Sequence, residues 1–326
     1  MDVYLGVDVG SVSTNLAVLD RENEILAKVY RRTRGQPIKA VKEGLKELEG
    51  DFSRGGYKVR GVGTTGSARY LSAVIVGADV VKNEITAHAV AASAEVPEVK
   101  TVLEIGGQDS KIILLRDGVV VDFAMNTVCA AGTGSFLDHQ AARLGIPIEE
   151  FGAHALKAES GVQIAGRCTV FAESDMIHKQ QMGYGKEEII YGLCESLVRN
   201  YINNLGKGKE IQSPVVFQGG VAANQGIRKA FEEALNTEVL IPRQSNIMGA
   251  IGAAILAREK MRGGATRFKG LETADIDYET SSFFCQGCAN TCEIVKIQVD
   301  GRTLACWGGR CGKWETEPVD EETAPV

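Results

Sequence analysis

Short apolar runs alternate with turn residues along the first part of the chain. Each run has the length of a β-strand rather than that of a helix. The runs cover residues 3–9, 16–19 and 25–30. We therefore expect three consecutive strands, then a helix over residues 37–48, a strand over 59–62 and an Ala-rich helix over 83–94 that Asn83 caps.

The same rhythm restarts about 100 residues into the chain, in a second set of runs at 101–105, 111–115 and 119–124. Two copies of a three-strand opening predict two duplicated α/β lobes. Further helical patterns occur at residues 135–144, 187–205 and 227–235, and further strand-like runs at 215–218 and 238–241. A last helix, rich in small residues, is predicted over 248–261.

The domain ranges follow from these patterns and from a change in composition after residue 261. The first lobe is predicted over 1–98 and the second over 99–262, with the helix 248–261 packing back towards the first lobe. Residues 263–280 read as a linker, 281–315 as a small Cys-rich module and 316–326 as a flexible acidic tail.

Composition narrows the function classes. A chain of 326 residues with 44% hydrophobic content can bury one large bilobal core or two domains. Its net charge of −6, without a long basic run, argues against nucleic-acid binding. No stretch reaches the ~18 apolar residues of a membrane span, and no cationic leader precedes the first strand, so we expect a cytoplasmic protein without a membrane partner.

The turn after the first strand has the residues of a phosphate-binding loop. Gly10 and the hydroxyl residues Ser11, Ser13 and Thr14 would let backbone N–H groups surround an anion, while Asp8 is placed to hold the water shell of Mg²⁺. Taken alone, such a turn is more often a plain hairpin.

A matching turn opens the second lobe, where Gly106, Gly107 and Gln108 follow the strand 101–105. Two such turns facing each other would clamp a triphosphate from both sides, so the pair is stronger evidence than either turn. The chain has no G-x-x-x-x-G-K-[ST] pattern, and any nucleotide must be held by another architecture.

A third glycine element ends the strand 215–218 and opens a helix. Its backbone at Gly219, Gly220 and Ala222 could lie flat against a nucleobase, and Asn224 could bond to polar edges of the ligand. Close helix–strand packing is the alternative explanation of these glycines.

The eight cysteines are expected to be reduced in the cytoplasm, so metal binding or burial must explain them. Cys129 and Cys168 each precede a predicted helix, where free N–H groups can bond to sulfur. Cys194 lies in an apolar stripe at helical spacing and is expected to pack in the core.

The order of the three glycine elements and the small-residue helix resembles that of the actin, Hsp70 and sugar-kinase superfamily. More closely, the segments 129–137 and 167–174 look like the signatures of activators of 2-hydroxyacyl-CoA dehydratases and of the related benzoyl-CoA-reductase-type ATPases. The resemblance covers residues 1 to about 261. It implies two duplicated actin-like, RNase H-like lobes around a nucleotide cleft that closes on ATP.

The resemblance also implies a mechanism. Cys129 and Cys168 would provide half of the ligands of an oxygen-sensitive [4Fe–4S] cluster, and the same pair in a second identical subunit would provide the rest. Hydrolysis of MgATP to ADP would drive one low-potential electron to a 2-hydroxyacyl-CoA dehydratase or a related double-cluster reductase. A ferredoxin or flavodoxin would be the donor, and Gln108 would position the attacking water or the Mg²⁺ shell.

The C-terminal cysteines lie beyond the resemblance, at Cys285, Cys288, Cys292, Cys306 and Cys311. Their spacing predicts a second metal site, and zinc cannot be told from an iron–sulfur cluster because both accept four cysteines. A structural staple for a small module is the alternative. The module could select the partner, relay electrons or only fold.

Two rival functions remain open at this level. A small-molecule kinase of the same fold would use Asp109 as its base, but it would have no use for the paired cysteine motifs. A nucleotide-dependent redox or metal sensor would bind nucleotide without coupled turnover. The histidines, at positions 88, 139, 154 and 178, are assigned no chemistry.

Overall fold

The computed structural model describes residues 1–126, 129–311 and 313–314. These residues form two compact units. The first unit contains Met1–Ala87 and the described residues from Gly249 onwards, and the second contains His88–Met248. The predicted flexible tail, residues 316–326, lies outside the described residues. In the part of the chain that is described, no helix is long and apolar enough to cross a membrane.

The first unit contains a five-stranded sheet with the order β3-β2-β1-β4-β5. Its strands are β1 (Asp2–Val9), β2 (Ser13–Leu19), β3 (Ile25–Arg32), β4 (Lys58–Thr65) and β5 (Val80–Val81). The first three strands pair antiparallel, and β4 and β5 extend the sheet in parallel to β1. The helices α1 (Pro37–Gly55), α2 (Arg69–Val76) and the start of α3 (Glu84–Glu95) complete this part of the unit.

The second unit repeats this topology. Its strands are β6 (Thr101–Ile105), β7 (Ser110–Arg116), β8 (Val119–Asn126), β9 (Val215–Gln218) and β10 (Val239–Leu240), in the order β10-β9-β6-β7-β8. Three strands again pair antiparallel, and two more are added in parallel to the first of them. The shared strand order confirms the predicted duplication of an α/β lobe.

Helices surround the second sheet. They are α4 (Gly134–Leu144), α5 (Ile148–Ala155), α6 (Thr169–Gln181), α7 (Lys186–Tyr201) and α8 (Gln225–Leu235). A π-helical turn, Ile202–Gly206, directly continues α7, and short 3₁₀ helices cover Ala130–Gly132 and Gly220–Ala223. The core between these helices and the sheet includes Phe136, Tyr191 and Phe217.

The helix α9 (Met248–Lys260) packs very closely on the first sheet. A Cβ atom at Gly6 would overlap the carbonyl oxygen of Ala250, and one at Gly63 would overlap that of Ala253. The small residues of the last helix are therefore explained by direct contact between its backbone and the strands β1 and β4.

A three-stranded antiparallel sheet follows α9 in the first unit. It consists of β11 (Glu279–Phe284), β12 (Glu293–Val299) and β13 (Arg302–Trp307), after a 3₁₀ helix at Leu271–Asp275. Ile297 and Ala305 are buried in the same core as Val62 and Leu71. Part of the predicted linker is also fixed to this unit, since Asp79 accepts hydrogen bonds from residues 266 and 267.

Candidate functional site

The first predicted phosphate turn is a tight hairpin between β1 and β2. The Gly10 N–H donates to the Ser13 carbonyl at 2.9 Å, and the Thr33 hydroxyl donates to the Gly10 carbonyl at 2.9 Å. Thr14 is buried with its hydroxyl 3.0 Å from that of Thr33, so it supports the turn from below. Ser11 is exposed at the tip, which leaves this part of the loop accessible.

Asp8 lies at the base of this turn, half-buried and flanked by two glycines. A Cβ atom at Gly66 would lie 2.6 Å from Asp8 Oδ1, and one at Gly249 would overlap Oδ2. Gly66 has φ = +88°, a conformation that itself favours glycine. The lack of a side chain at both positions lets the backbone approach the carboxylate closely, and neither glycine was singled out from the sequence.

The second predicted phosphate turn is tied to the start of α4. The Gly106 N–H donates to the Asp109 carbonyl at 3.0 Å. The carbonyls of Gly106 and Gly107 accept from the N–H groups of Gly134 and Ser135, at 2.9 and 2.8 Å. These bonds fix both glycines and leave the exposed Gln108 at the tip of the turn.

A buried charge cluster lies beneath this turn. Lys111 Nζ is 2.9 Å from Glu104 Oε2 and 3.0 Å from Asp109 Oδ2, and both Glu104 and Lys111 are at most 5% exposed in their side chains. Burial raises the pKa of Glu104, although the attraction of Lys111 opposes this. The carboxylate of Asp109, the base in the rival kinase interpretation, is thus already paired. Sequence analysis did not predict this cluster. The sequence feature that indicated it is the presence of two charged residues within otherwise apolar strands.

The third glycine element is only partly open. Gly219 has φ = +92° and is buried, as is Ala222, whereas Gly220 is exposed. Asn224 caps α8, because its Oδ1 accepts from the Ile227 N–H at 3.2 Å. A Cβ atom at Gly219 would lie 2.7 Å from Glu104 Oε1, so the buried carboxylate also lies beneath this element.

Cys129 lies beside the residue that precedes Cys168, although the two cysteines are distant in sequence. Cys129 precedes the 3₁₀ helix that leads into α4, and Cys168 is the N-cap residue of α6. The Cys129 Sγ lies 3.9 Å from the carbonyl oxygen of Arg167, the residue before Cys168. Asn126 brackets Cys129 by accepting from its N–H at 3.0 Å and donating to its carbonyl at 2.7 Å.

Side chains of α7 hold the segment that leads to Cys168. They donate to three consecutive carbonyl groups, as Arg199 does to Ile164 (2.6 Å), Ser196 to Ala165 (2.6 Å) and Asn200 to Gly166. The Asp175 carboxylate in α6 accepts from the Ala165 N–H at 2.8 Å. The backbone around both cysteines is thus held in place by side-chain hydrogen bonds.

Exposed apolar side chains lie next to this pair. Val170 and Phe171, in the first turn of α6, are 66% and 65% exposed. Contiguous apolar residues at a protein surface commonly mark a contact with another protein. Cys194, by contrast, is fully buried in the core of the second unit, as predicted, and burial raises the pKa of its thiol.

The C-terminal cysteines lie on and around the small sheet. Cys285 and Cys292 are joined by a hydrogen bond from the Cys285 N–H to the Cys292 carbonyl at 2.8 Å. Among the described residues, no three His, Cys, Asp or Glu side chains are grouped so as to bind a metal ion. The second metal site therefore stays a prediction.

Comparisons with known proteins agree with the predicted resemblance. The model of the BadF/BadG/BcrA/BcrD ATPase family matches residues 5–257. The chain is 36% identical over 266 residues to the (R)-2-hydroxyglutaryl-CoA dehydratase activating ATPase of Acidaminococcus fermentans, a match that covers 80% of this chain and 99% of that protein. It is 34% identical over 259 residues to the activator of lactoyl-CoA dehydratase of Anaerotignum propionicum, covering 78% and 97%.

A solved structure extends the agreement to the fold. The activator of the 2-hydroxyisocaproyl-CoA dehydratase from Clostridium difficile, with bound ADPNP, matches with a TM-score of 0.73 and 32% identity. The match covers 80% of this chain and 96% of that one. The predicted two-lobed actin-like fold is thereby confirmed.

Proposed function

Because the chain belongs to the BadF/BadG/BcrA/BcrD ATPase family, we propose that it hydrolyses MgATP to drive single-electron transfer to a 2-hydroxyacyl-CoA dehydratase or a related double-cluster reductase. The relatives named as dehydratase activators support the acceptor class. The observation that carries the proposal is the meeting of Cys129 with the segment of Cys168. A reduced ferredoxin or flavodoxin is the proposed electron donor.

The proposed nucleotide ligands are the backbone of the two turns and of the Gly219–Gly220 element. Asp8 can hold the hydration shell of Mg²⁺, because its carboxylate is only half-buried at the base of the first turn. Gln108 is exposed at its turn and can position the attacking water without competing for the metal. Lys111 offsets the negative charge of the two carboxylates beneath the second turn, which would otherwise repel phosphate.

The cysteine pair fits a [4Fe–4S] cluster as half of a ligand set. Cys129 and Cys168 are free thiols, both partly exposed, at the starts of helical segments whose N–H groups can bond to sulfur. Four thiolates are needed, so we propose that a second copy of the chain supplies the same pair. The exposed Val170 and Phe171 would be covered in such a homodimer. A cluster bound there supplies one electron at low potential.

The second unit offers a direct route from nucleotide to cysteine. The glycine carbonyls of the 106–107 turn accept hydrogen bonds from the first residues of α4, and α4 directly follows the short helix that begins after Cys129. A change at the turn would therefore be passed to the backbone of Cys129 through Ser135. This route lets ATP hydrolysis alter the surroundings of the cluster ligands.

Anaerobic purification followed by EPR spectroscopy with and without MgATP tests the proposal. We expect a cluster signal that MgATP changes, and we expect the Cys129→Ala and Cys168→Ala variants to lose the MgATP-sensitive signal. Cys194→Ala is the control, because Cys194 is a core residue of the same unit. A MgATP-sensitive signal that survives the loss of both Cys129 and Cys168 would contradict the proposal.

A further inference from the structure

One end of the C-terminal sheet brings cysteines together. The ladder between β11 and β12 ends with Phe284 opposite Glu293, so that Cys285 and Cys292 form the next opposed pair. Directly opposed residues in an antiparallel ladder have Cβ atoms about 4.5–5.5 Å apart. Cys288 lies on the loop that joins the two, and its carbonyl accepts from the Thr291 N–H at 3.2 Å.

Cys311 returns to the same end of the sheet. After β13, a Cβ atom at Gly308 would lie 2.6 Å from the Glu293 carbonyl oxygen, and one at Gly309 would lie 3.6 Å from the Ile294 side chain. Farther along, Trp314 Nε1 donates to Cys285 Sγ at 3.2 Å. Cys311 follows Gly309 by two residues and precedes Trp314 by three. Because consecutive Cα atoms are about 3.8 Å apart, its Cα atom lies within about 8 Å of that of Gly309 and about 11 Å of that of Trp314.

The Cys285 sulfur receives two N–H donors, from Trp314 Nε1 and from the Gly287 backbone at 3.4 Å. Donors of this kind stabilise negative charge on sulfur and are a regular feature around metal-bound thiolates. The aromatic ring of Trp314 also packs on Phe283, which fixes the donor in place.

We propose that Cys285, Cys288, Cys292 and Cys311 bind one thiophilic metal centre, either a zinc ion or an iron–sulfur cluster. Among the described residues, no three of these side chains lie close enough together to bind one metal ion. Metal binding must therefore bring the loop 286–291 and the segment of Cys311 closer together. Both are connecting segments outside the strands of the sheet.

Cys306 is excluded from this ligand set. Cys306 pairs with Lys296 of β12. Lys296 lies four residues after Cys292 along the chain. At the rise of about 3.3 Å per strand residue, this separation is about 13 Å. Zinc–sulfur bonds are only about 2.3 Å long, so one centre cannot hold both residues without breaking the ladder. Burial also raises the pKa of Cys306, which favours the neutral thiol.

The test uses the full chain, purified anaerobically, with Cys129→Ala and Cys168→Ala already introduced. This background removes iron bound at the proposed intersubunit site, so the two proposals can fail independently. Elemental analysis should find about one zinc per chain, or about four irons with visible absorption. Cys285→Ser, Cys288→Ser, Cys292→Ser and Cys311→Ser should each lower this content at least tenfold, while Cys306→Ser should leave it unchanged.

A second readout does not depend on substitution of the four proposed ligands. Peptide mass spectrometry after alkylation of the same background protein should show that Cys285, Cys288, Cys292 and Cys311 react only after a chelator is added. Far-UV circular dichroism of each variant separates metal loss from unfolding. Absence of metal from the background protein, or an equal loss in Cys306→Ser, would overturn the proposal. Reaction of the four thiols at the same rate without the chelator would overturn it as well.

Discussion

At the scale of single residues, the most unusual feature is the buried pair of charged side chains of Glu104 and Lys111. Charged side chains are rarely fully buried unless they are paired. Here Lys111 bonds to Glu104 and Asp109 directly below two of the proposed nucleotide-binding elements. The cluster lies beneath both elements, and in the proposed site it would set the charge that a phosphate meets.

Lys111→Met should therefore lower the free energy of unfolding by about 3 kcal/mol near pH 8, because it leaves Glu104 as a buried charge without its main partner. The pKa of Glu104 is raised in the folded state, so its contribution to stability is fullest at low pH and falls as the pH rises through that pKa. Removing Lys111 raises this pKa further, and the loss should be smaller at pH 5. Urea denaturation at both pH values measures the difference.

Lys39→Met is the matched control, since Lys39 is exposed and only 4.0 Å from Glu43. Surface pairs of this kind are worth about 1 kcal/mol or less. The double variant Glu104→Gln with Lys111→Met should recover part of the stability lost in the single variant. A loss for Lys111→Met that is equal at pH 5 and pH 8 would show that the charge of Glu104 is not its cause.

The sequence allows Glu104 and Lys111 to face each other across the turn, but it does not fix their pairing. The predicted strands 101–105 and 111–115 are joined by a short glycine turn, and the observed register places Glu104 opposite Lys111. Such a register is uncertain before the turn type is known, because a shift by one residue moves every side chain to the other face. Asn224 shows the opposite case, where the residue was noticed but its capping role was not.

At the scale of elements, prediction succeeded where the period was clear. Apart from the short β5, which was not predicted, the strands of both sheets and the helices α4 and α8 lie close to their predicted bounds. The helix α2 was missed because six of its eight residues are buried in succession, which hides the helical period. The strands β11 to β13 were also missed, since all of β11 is exposed and shows no alternation of apolar residues.

The junction between the second turn and α4 is an element-scale device that can be tested. Ser135 donates through both its N–H and its hydroxyl to the Gly107 carbonyl. Ser135→Ala removes only the hydroxyl bond, so ATP hydrolysis should continue while the effect of MgATP on the EPR signal of the cluster weakens. ATP turnover and EPR spectra of the same anaerobic sample measure the two effects separately.

Ser174→Ala is the control for this variant. The Ser174 hydroxyl donates to the Val170 carbonyl within α6 and does not contact the turn. It should leave both ATP turnover and the MgATP response unchanged. If Ser135→Ala keeps the full MgATP response, the signal must reach the cysteines by a route other than this hydrogen bond.

At the scale of the whole molecule, the chain adds a C-terminal sheet to a fold that its relatives share. The family model ends at residue 257, and the residues beyond it contribute Ile297 and Ala305 to the core of the first unit. Lys42 and Lys46 on α1 also bond to the Ile276 carbonyl and to Asp275, at 2.7 Å each. The sequence indicated a separate cysteine module, but only tertiary contacts reveal that it is part of the first unit.

Asp79 is the residue that fixes the beginning of this extension. It is buried, and its carboxylate accepts hydrogen bonds from the Val62 N–H (2.8 Å), the Thr266 hydroxyl (2.7 Å) and the Arg267 N–H (2.8 Å). Asp79→Ala leaves these donors without their acceptor, at a cost of about 1–3 kcal/mol for each one that stays buried. Local opening of residues 262–269 should therefore become at least about tenfold more frequent.

Limited trypsin digestion detects this opening, because the segment contains Arg262, Arg267 and Lys269. Cleavage there should accelerate at least tenfold in Asp79→Ala, well before the second unit is digested. Asp277→Ala is the control, since Asp277 is fully exposed and lies 3.5 Å from Lys42. An unchanged cleavage rate in Asp79→Ala would mean that the apolar contacts of the small sheet hold the extension by themselves.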